Sequence, residues 1–168
     1  MRITASTTIL VFFVLLYGCT KDQPRDWPNP AVSLEEVGGC KDFRPKAESD
    51  YPNNTACLLF DYDGDSILTL THINAGFNCC PEEFFVNVDF RNDTIFILES
   101  ERDGLCDCDC LYDLHFTIQP IPPGIYFISV DEPYVRQAED PKLEDQVDLT
   151  KAGSGAFCVS RSHYPWGI

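Results

Sequence analysis

The sequence predicts an all-β protein, a single antiparallel β-sandwich of about seven strands that disulfides staple together. Between Cys57 and Val130, apolar and polar residues alternate in short runs that turn residues interrupt. Helical periodicity is absent from this region. The chain has nine cysteines, and eight of them follow the N-terminal twenty residues. An even number of thiols allows complete pairing in an oxidising compartment.

The chain begins with a short apolar segment that is typical of a secretory signal. One positive charge at Arg2 precedes an apolar run from Ile9 to Leu16, which is too short to be a permanent membrane span. Its end, Leu16-Tyr17-Gly18-Cys19, resembles the bacterial lipoprotein signal, in which the cysteine is acylated and becomes the new N-terminus. The resemblance implies that residues 1–18 are a signal peptide and that Cys19 carries lipid. An ordinary signal peptide with an unmodified cysteine is the alternative.

Residues 19–39 are predicted to form a flexible tether, because they contain Pro24, Pro28 and Pro30 and few large apolar residues. The pair Lys21-Asp22 resembles the short charged signals that send some Bacteroidota lipoproteins to the cell surface. We therefore expect a lipid-anchored protein of the bacterial cell envelope, at the outer membrane or cell surface. The β-sandwich domain is predicted to occupy residues 40–168.

The charge of the chain limits its partners. Its formal net charge is −15, from 12 Lys and Arg against 27 Asp and Glu. Removal of residues 1–18 takes away Arg2, which leaves 11 cationic groups and a charge of −16. Such a field repels phosphate backbones, so we expect no nucleic-acid partner. The expected contact with the membrane is through the N-terminal lipid alone.

Two hairpins are predicted in the first half of the domain. Residues 57–62 and 66–73 flank Asp63-Gly64, a dipeptide suited to a tight turn. Residues 84–90 and 94–101 flank Arg91-Asn92-Asp93. The sequence Asp61-Tyr62-Asp63-Gly64-Asp65 is therefore interpreted as part of a turn. Its glycine is at the fourth position, whereas a calcium loop needs one at the sixth.

A third pair is predicted at residues 111–119 and 125–130, joined by residues 120–124. The run Pro123-Gly124-Ile125-Tyr126 resembles a turn found in extracellular sandwiches of the immunoglobulin-like and transthyretin-like kinds. That resemblance concerns the fold and implies no activity. Residues 131–154 are predicted to be a long acidic loop, with one helical turn near residues 133–138. A last strand is expected at residues 156–160.

The cysteines are expected to form disulfides, which is the default for thiols in an oxidising space. The candidates are Cys40, Cys57, Cys79, Cys80, Cys106, Cys108, Cys110 and Cys158. The order of the hairpins predicts at least one bridge from the Cys79-Cys80 pair to the triplet formed by Cys106, Cys108 and Cys110. Bridging of the adjacent Cys79 and Cys80 to each other is unfavourable.

A zinc or copper site is the alternative interpretation of this cysteine-rich end. Its candidate ligands are His72, Cys79, Cys80, Cys106, Cys108 and Cys110, because imidazole and thiolate groups suit both metals. However, the paired C-x-x-C spacing of structural zinc sites is absent. We therefore predict no metal and no cofactor, with His72 as a buried, hydrogen-bonded residue on the face that Leu68 and Leu70 share.

No catalytic motif is present: the sequence lacks a phosphate loop, a nucleophile elbow and H-E-x-x-H. We therefore expect that the chain is not an enzyme. The C-terminal run Arg161-Ser162-His163-Tyr164-Pro165-Trp166 is either a recognition patch or a tail whose Trp166 folds back onto the sandwich, and the second interpretation is favoured.

The predicted function is a lipid-anchored binding or structural module with a protein or glycan partner in the envelope. The motifs F-N-C-C-P at Phe77 to Pro81 and C-x-C-x-C-L-Y-D-L at Cys106 to Leu114, with the closing Y-P-W, resemble small uncharacterised Bacteroidota lipoproteins. That resemblance implies no activity. The alternatives are the metal-binding envelope protein above and a secreted inhibitor or adhesin that presents a disulfide-held loop such as Glu101 to Asp109.

Overall fold

A computed structural model describes residues 29–41, 51–102, 106–136 and 139–166. These residues form nine strands and no helix, so the all-β prediction is confirmed. In chain order the strands are β1 (Ala31–Val37), β2 (Thr55–Tyr62), β3 (Leu68–Asn78), β4 (Glu83–Arg91), β5 (Thr94–Arg102), β6 (Asp109–Gln119), β7 (Ile125–Asp131), β8 (Leu143–Asp148) and β9 (Gly153–Ser160). The predicted Cys19 lies outside the described residues.

The strands form two sheets. The five-stranded sheet has the order β1-β6-β3-β2-β9, and the four-stranded sheet has the order β4-β5-β7-β8. All neighbouring strands are antiparallel except β5 and β7, which are parallel. The prediction of a wholly antiparallel sandwich of about seven strands is therefore wrong in strand number and at this pair.

The first two predicted hairpins are present, but the third is wrong. Strands β2 and β3 pair around Gly64, whose φ of 89° requires the left-handed region that glycine tolerates. Strands β6 and β7 do not pair, because the chain crosses from one sheet to the other between them. The connection holds Ile121 in the core, where its carbonyl accepts a hydrogen bond of 2.8 Å from the Tyr62 hydroxyl.

Two strands lie in segments that the sequence predicted to be irregular. Strand β1 occupies part of the expected tether and pairs with β6, with Val32 opposite Ile118. Strand β8 occupies part of the expected acidic loop and pairs with β7 at the edge of its sheet. Only Leu143 and Val147 of β8 are buried, so its alternation is too sparse to stand out. In that loop, residues 133–136 and 139–142 contain turns and no helix.

The core lies between the sheets and is made mainly of the inward-facing residues of both. The aromatic rings of Phe77, Phe84 and Tyr112 pack edge to face at one end, with centroid distances of 5.0 to 6.3 Å. Other core members are Leu58, Tyr62, Leu70, Ile95, Ile97, Leu114, Phe116, Ile118, Tyr126 and Ile128. Among the described residues, no helix is long and apolar enough to cross a membrane.

Trp166 folds back onto the five-stranded sheet, as the favoured interpretation of the C-terminus predicted. Its side chain is 1% exposed, and its indole N–H donates a 2.7 Å hydrogen bond to the carbonyl of Asn74. Asn74 has a φ of 61° and lies in a register shift where β3 pairs with β6. Its side chain bonds Lys41, Pro52 and Thr55, so this bulge ties the C-terminus to the sheet.

Candidate functional site

All eight cysteines after residue 39 are paired in disulfides. The bridges are Cys40–Cys110, Cys57–Cys158, Cys79–Cys108 and Cys80–Cys106. Two of them join the Cys79-Cys80 pair to the triplet, which is the link that the order of hairpins predicted. These two bridges hold the segment before β6 against the end of β3.

The cysteine-rich end does not bring His72 together with the sulfur atoms. Among the described residues, the group with metal-ligand geometry consists of Cys79, Cys106 and Cys108, whose Sγ atoms lie within 4.8 Å of one another. Each of these sulfur atoms is in a disulfide, so none is a thiolate in the oxidised protein. The oxidised fold therefore lacks the thiolate and imidazole set that the metal alternative needs in this part of the chain.

His72 instead belongs to a buried ionic network that joins the two sheets. Its Nδ1 lies 2.9 Å from each carboxylate oxygen of Glu99, and its Nε2 lies 3.6 Å from Oε1 of Glu132. The other carboxylate oxygen of Glu132 accepts from the guanidinium of Arg161. His72 and Arg161 belong to the five-stranded side, whereas Glu99 and Glu132 belong to the four-stranded side. We call these four residues the buried quartet.

The buried quartet is electrically neutral when its imidazole is protonated. Burial lowers the pKa of His72, but the carboxylates of Glu99 and Glu132 more than reverse this effect and raise it above its ordinary value. Burial raises the pKa of Glu132, and the nearby imidazolium and guanidinium only partly oppose that rise. Because His72 is fully buried and its carboxylate partners come from the other sheet, we interpret the quartet as a structural lock between the sheets.

An open cleft lies on the outer face of the five-stranded sheet. It has a volume of about 420 Å³ and lies over β9, β2, β3 and β6. One row of its floor crosses four strands in register, from Ala156 through Leu59 and Thr71 to His115. The next row places Ser154, Asp61 and Thr69 side by side. Tyr51 also lines the cleft. We call this feature the polar cleft.

A hydrogen-bonded chain fixes the imidazole at one end of the polar cleft. The Thr71 hydroxyl lies 2.9 Å from His115 Nδ1, and His115 Nε2 lies 3.6 Å from a carboxylate oxygen of Glu35. Glu35 is itself held by the hydroxyl of Thr117, which donates a 2.5 Å hydrogen bond to it. Because β1 supplies Glu35, the strand that the sequence analysis assigned to the tether positions part of this site.

The polar cleft combines apolar surface with hydrogen-bonding groups of both kinds. Tyr51, Leu59 and Ala156 offer apolar surface, while Asp61, Thr69, Thr71 and His115 offer donors and acceptors. This composition suits a neutral ligand with many hydroxyl groups, whose carbon face packs on the apolar side chains. The charge of −15 disfavours an anionic ligand.

The sequence analysis identified His72 but missed its partners and the polar cleft. Glu99 follows Ile95 and Ile97 at a spacing of two on β5, and this alternation was a signal for an inward-facing carboxylate. His115 and Thr117 are on the polar face of a half-buried strand, which was visible in the sequence. Their neighbours Thr71 and Leu59 come from other strands, so the cleft depends on a register that no local pattern specifies.

Comparison with protein-family models, curated proteins and solved structures finds no match to this chain.

Proposed function

We propose that this chain is a glycan-binding module, anchored by lipid in the bacterial envelope, whose polar cleft holds a neutral sugar chain. The observation that carries the proposal is the register of the cleft floor, which sets hydroxyl, imidazole and carboxylate groups beside apolar surface. The volume of about 420 Å³ is within the range of small-molecule sites, roughly 300–1,000 Å³. The cleft is open, as recognition of an extended polymer requires.

The proposed role is binding and not catalysis. Thr71 and His115 have the spacing of a nucleophile and its base, but acyl transfer also needs N–H donors aimed at a developing oxyanion. Both residues are on inner strands of the five-stranded sheet, where the backbone groups pair with neighbouring strands. The fixed imidazole then serves as a hydrogen-bonding group for a sugar hydroxyl.

Titration of the purified chain with neutral oligosaccharides tests the glycan proposal. We expect binding by one or more of the cello-, xylo-, manno- and malto-oligosaccharides in isothermal titration calorimetry. Thr71→Val and His115→Leu remove hydrogen-bonding groups from the cleft and should each weaken binding by about tenfold, in line with the cost of unpaired polar groups. The control Ser129→Ala removes a hydroxyl from the outer face of the other sheet and should leave binding unchanged.

The absence of binding to every neutral glycan in the series contradicts the proposal, as does binding that Thr71→Val, His115→Leu and the control weaken equally. Thermal unfolding of each variant establishes that the fold is intact.

The lipid anchor is tested separately at Cys19. We expect Cys19→Ser to move the protein from the membrane fraction to the soluble fraction, because the substitution removes the thiol that carries the proposed acyl anchor. Persistent membrane association of this variant contradicts the lipobox assignment. Glycan titration of the variant is independent of this result.

A further inference from the structure

Four large apolar side chains are exposed on the outer face of the four-stranded sheet. Phe96 is 37% exposed, Leu98 47%, Ile125 53% and Phe127 39%. They alternate with buried residues on β5 and β7, the two central strands of that sheet. Phe127 lies opposite Thr94 and is therefore a diagonal neighbour of Phe96. We call these four residues the apolar ridge.

An apolar ridge of this kind differs from the scattered apolar residues of an ordinary surface. Contiguous apolar patches on soluble domains mark sites of interaction. The ridge is on the opposite side of the sandwich from the polar cleft, because the two features are on the outer faces of different sheets. A ligand in the cleft therefore leaves the ridge accessible.

Acidic side chains flank the apolar ridge. Asp89 lies opposite Phe96, Asp131 opposite Leu98, and Asp148 opposite Ile125, and all three are exposed. Glu144 lies beyond Ser129, whose hydroxyl donates to it. Cations near the ridge include Arg91, whose Cζ lies 5.1 Å from the centroid of the Phe96 ring, and Arg102. Lys142 lines a pocket with Phe96, and Lys151 is close enough to Asp148 to contribute to the lowered pKa of that carboxylate. Arg91 is bound to Asp89 at 2.8 Å, and Arg102 is bound to Glu83 at 3.0 Å.

A small pocket of about 210 Å³ adjoins the ridge at Phe96. Ser129, Asp131, Val135 and Lys142 are among its lining residues. The aromatic wall of Phe96 and the exposed carboxylate of Asp131 suit the aliphatic stem and charged end of a lysine or arginine side chain, whereas Lys142 repels that charged end.

We propose that the apolar ridge docks a cationic amphipathic segment of another protein, in which basic residues alternate with apolar ones. Apolar side chains of the segment pack on Phe96, Leu98 and Phe127, while its basic side chains meet Asp131 and Asp148, because Asp89 is already paired with Arg91. A second copy of this chain is a poor occupant, because it brings the same acidic flanks and a further net charge of −15. The chain then joins a glycan on one sheet to a protein on the other.

The test uses a synthetic peptide in which lysine alternates with leucine, together with a matched peptide in which glutamate replaces every lysine. We expect the lysine peptide to bind the purified chain in fluorescence anisotropy, more weakly as salt rises, and the glutamate peptide not to bind. Combined substitution Phe96→Ser and Phe127→Ser should weaken binding of the lysine peptide at least about tenfold, because these aromatic anchors are central to the ridge.

Two controls separate the ridge from general attraction between opposite charges. Ile67→Ser removes an apolar side chain that is 38% exposed in the β2–β3 turn and should leave peptide binding unchanged. Asp131→Lys should weaken binding more than Glu36→Lys, although both variants change the net charge equally, because Glu36 is on β1 of the other sheet.

Four results overturn the proposal. The first is failure of the lysine peptide to bind. The second is equal binding by the wild type and the Phe96→Ser, Phe127→Ser variant. The third is equal weakening by the Asp131 and Glu36 reversals. The fourth is a wild-type dimer in analytical ultracentrifugation that the Phe96→Ser, Phe127→Ser variant lacks, since the ridge is then an interface between copies.

Discussion

Nδ1 of His72 lies 2.9 Å from both carboxylate oxygens of Glu99, so a hydrogen-bonded ion pair crosses the core from one sheet to the other. Burying charge is costly unless each charge has a partner. In this protein the second pair, Glu132 and Arg161, lies beside the first and completes a neutral set.

Removing one partner of the His72–Glu99 ion pair should destabilise the fold more than replacing both partners with apolar residues. Glu99→Leu leaves a buried imidazole without its closest partner, and we expect it to lower the free energy of unfolding by about 3–5 kcal/mol. The double variant His72→Leu, Glu99→Leu removes both charges and leaves the Glu132 and Arg161 pair neutral. We expect it to be more stable than Glu99→Leu in urea unfolding. A double variant whose loss equals the sum of the two single losses contradicts coupling between these residues.

Stability should fall as the pH rises from mildly acidic to alkaline values. The pKa of His72 is raised above 6.5, so its stabilising contribution is fully present below that pH and is lost as the pH rises through the folded-state pKa. The pKa of Glu132 is raised above 4.5, so its contribution to stability also falls as the pH rises. Asp63 and Asp148 have lowered pKa values, so their contributions are lost only as the pH falls.

Urea unfolding between pH 5 and pH 9 measures this dependence. The His72→Leu, Glu99→Leu variant serves as its control, because it has no imidazole to titrate in the core. We expect the decline above pH 6.5 to be shallower in that variant. If stability declines equally with pH in the wild type and the variant, titration of His72 is not its cause.

The two neighbouring bridges at the cysteine-rich end should be partly redundant. Cys79–Cys108 spans 29 residues and Cys80–Cys106 spans 26, and each bridge closes nearly the same loop. Removal of one pair by alanine should therefore cost little, whereas removal of both should cost about 3–4 kcal/mol in the chain-entropy model. Thermal unfolding of the two double variants and the quadruple variant compares these costs. Additive losses contradict redundancy.

Close packing of Trp166 makes Gly76 sensitive to substitution. A Cβ atom at position 76 lies 2.5 Å from Cη2 of Trp166 and 2.7 Å from Cζ2, so Gly76→Ala displaces the indole. We expect a loss of about 1–3 kcal/mol, as for other overpacked sites, and a red shift of tryptophan fluorescence. Gly153→Ala on β9 is the control, since no atom lies within 4 Å of its added Cβ. Similar losses in both variants contradict this assignment.

Local patterns predicted those parts of the fold that depend on neighbouring residues. The β2–β3 hairpin follows from Asp63-Gly64, where one carboxylate oxygen of Asp63 accepts hydrogen bonds from the amides of residues 65, 66 and 67. The parallel pairing of β5 with β7 joins residues about 30 positions apart, and the sequence carries no turn signal for it. The third predicted hairpin was wrong because residues 120–124 connect strands of different sheets.

In the candidate sites too, local patterns predicted some features, while others depend on residues that are distant in the sequence. Composition and parity predicted that the cysteines pair, and the alternation around His72 predicted its burial. The position of His115 beside Thr71, and that of His72 beside Glu99, depend on long-range register and on how the sheets face each other. Such contacts require the assembled sandwich, which a single sequence does not specify locally.

Strand β9 pairs with β2, about 100 residues earlier, through the Cys57–Cys158 bridge. Because ribosomes make the chain from its N-terminus, β2 has no partner on this side until the last strand has emerged. The final nine residues of the described chain then supply the Cys158 thiol, the Arg161 guanidinium and the Trp166 indole. A chain that ends before β9 therefore keeps a free Cys57 thiol and lacks the guanidinium that balances the charge of Glu132.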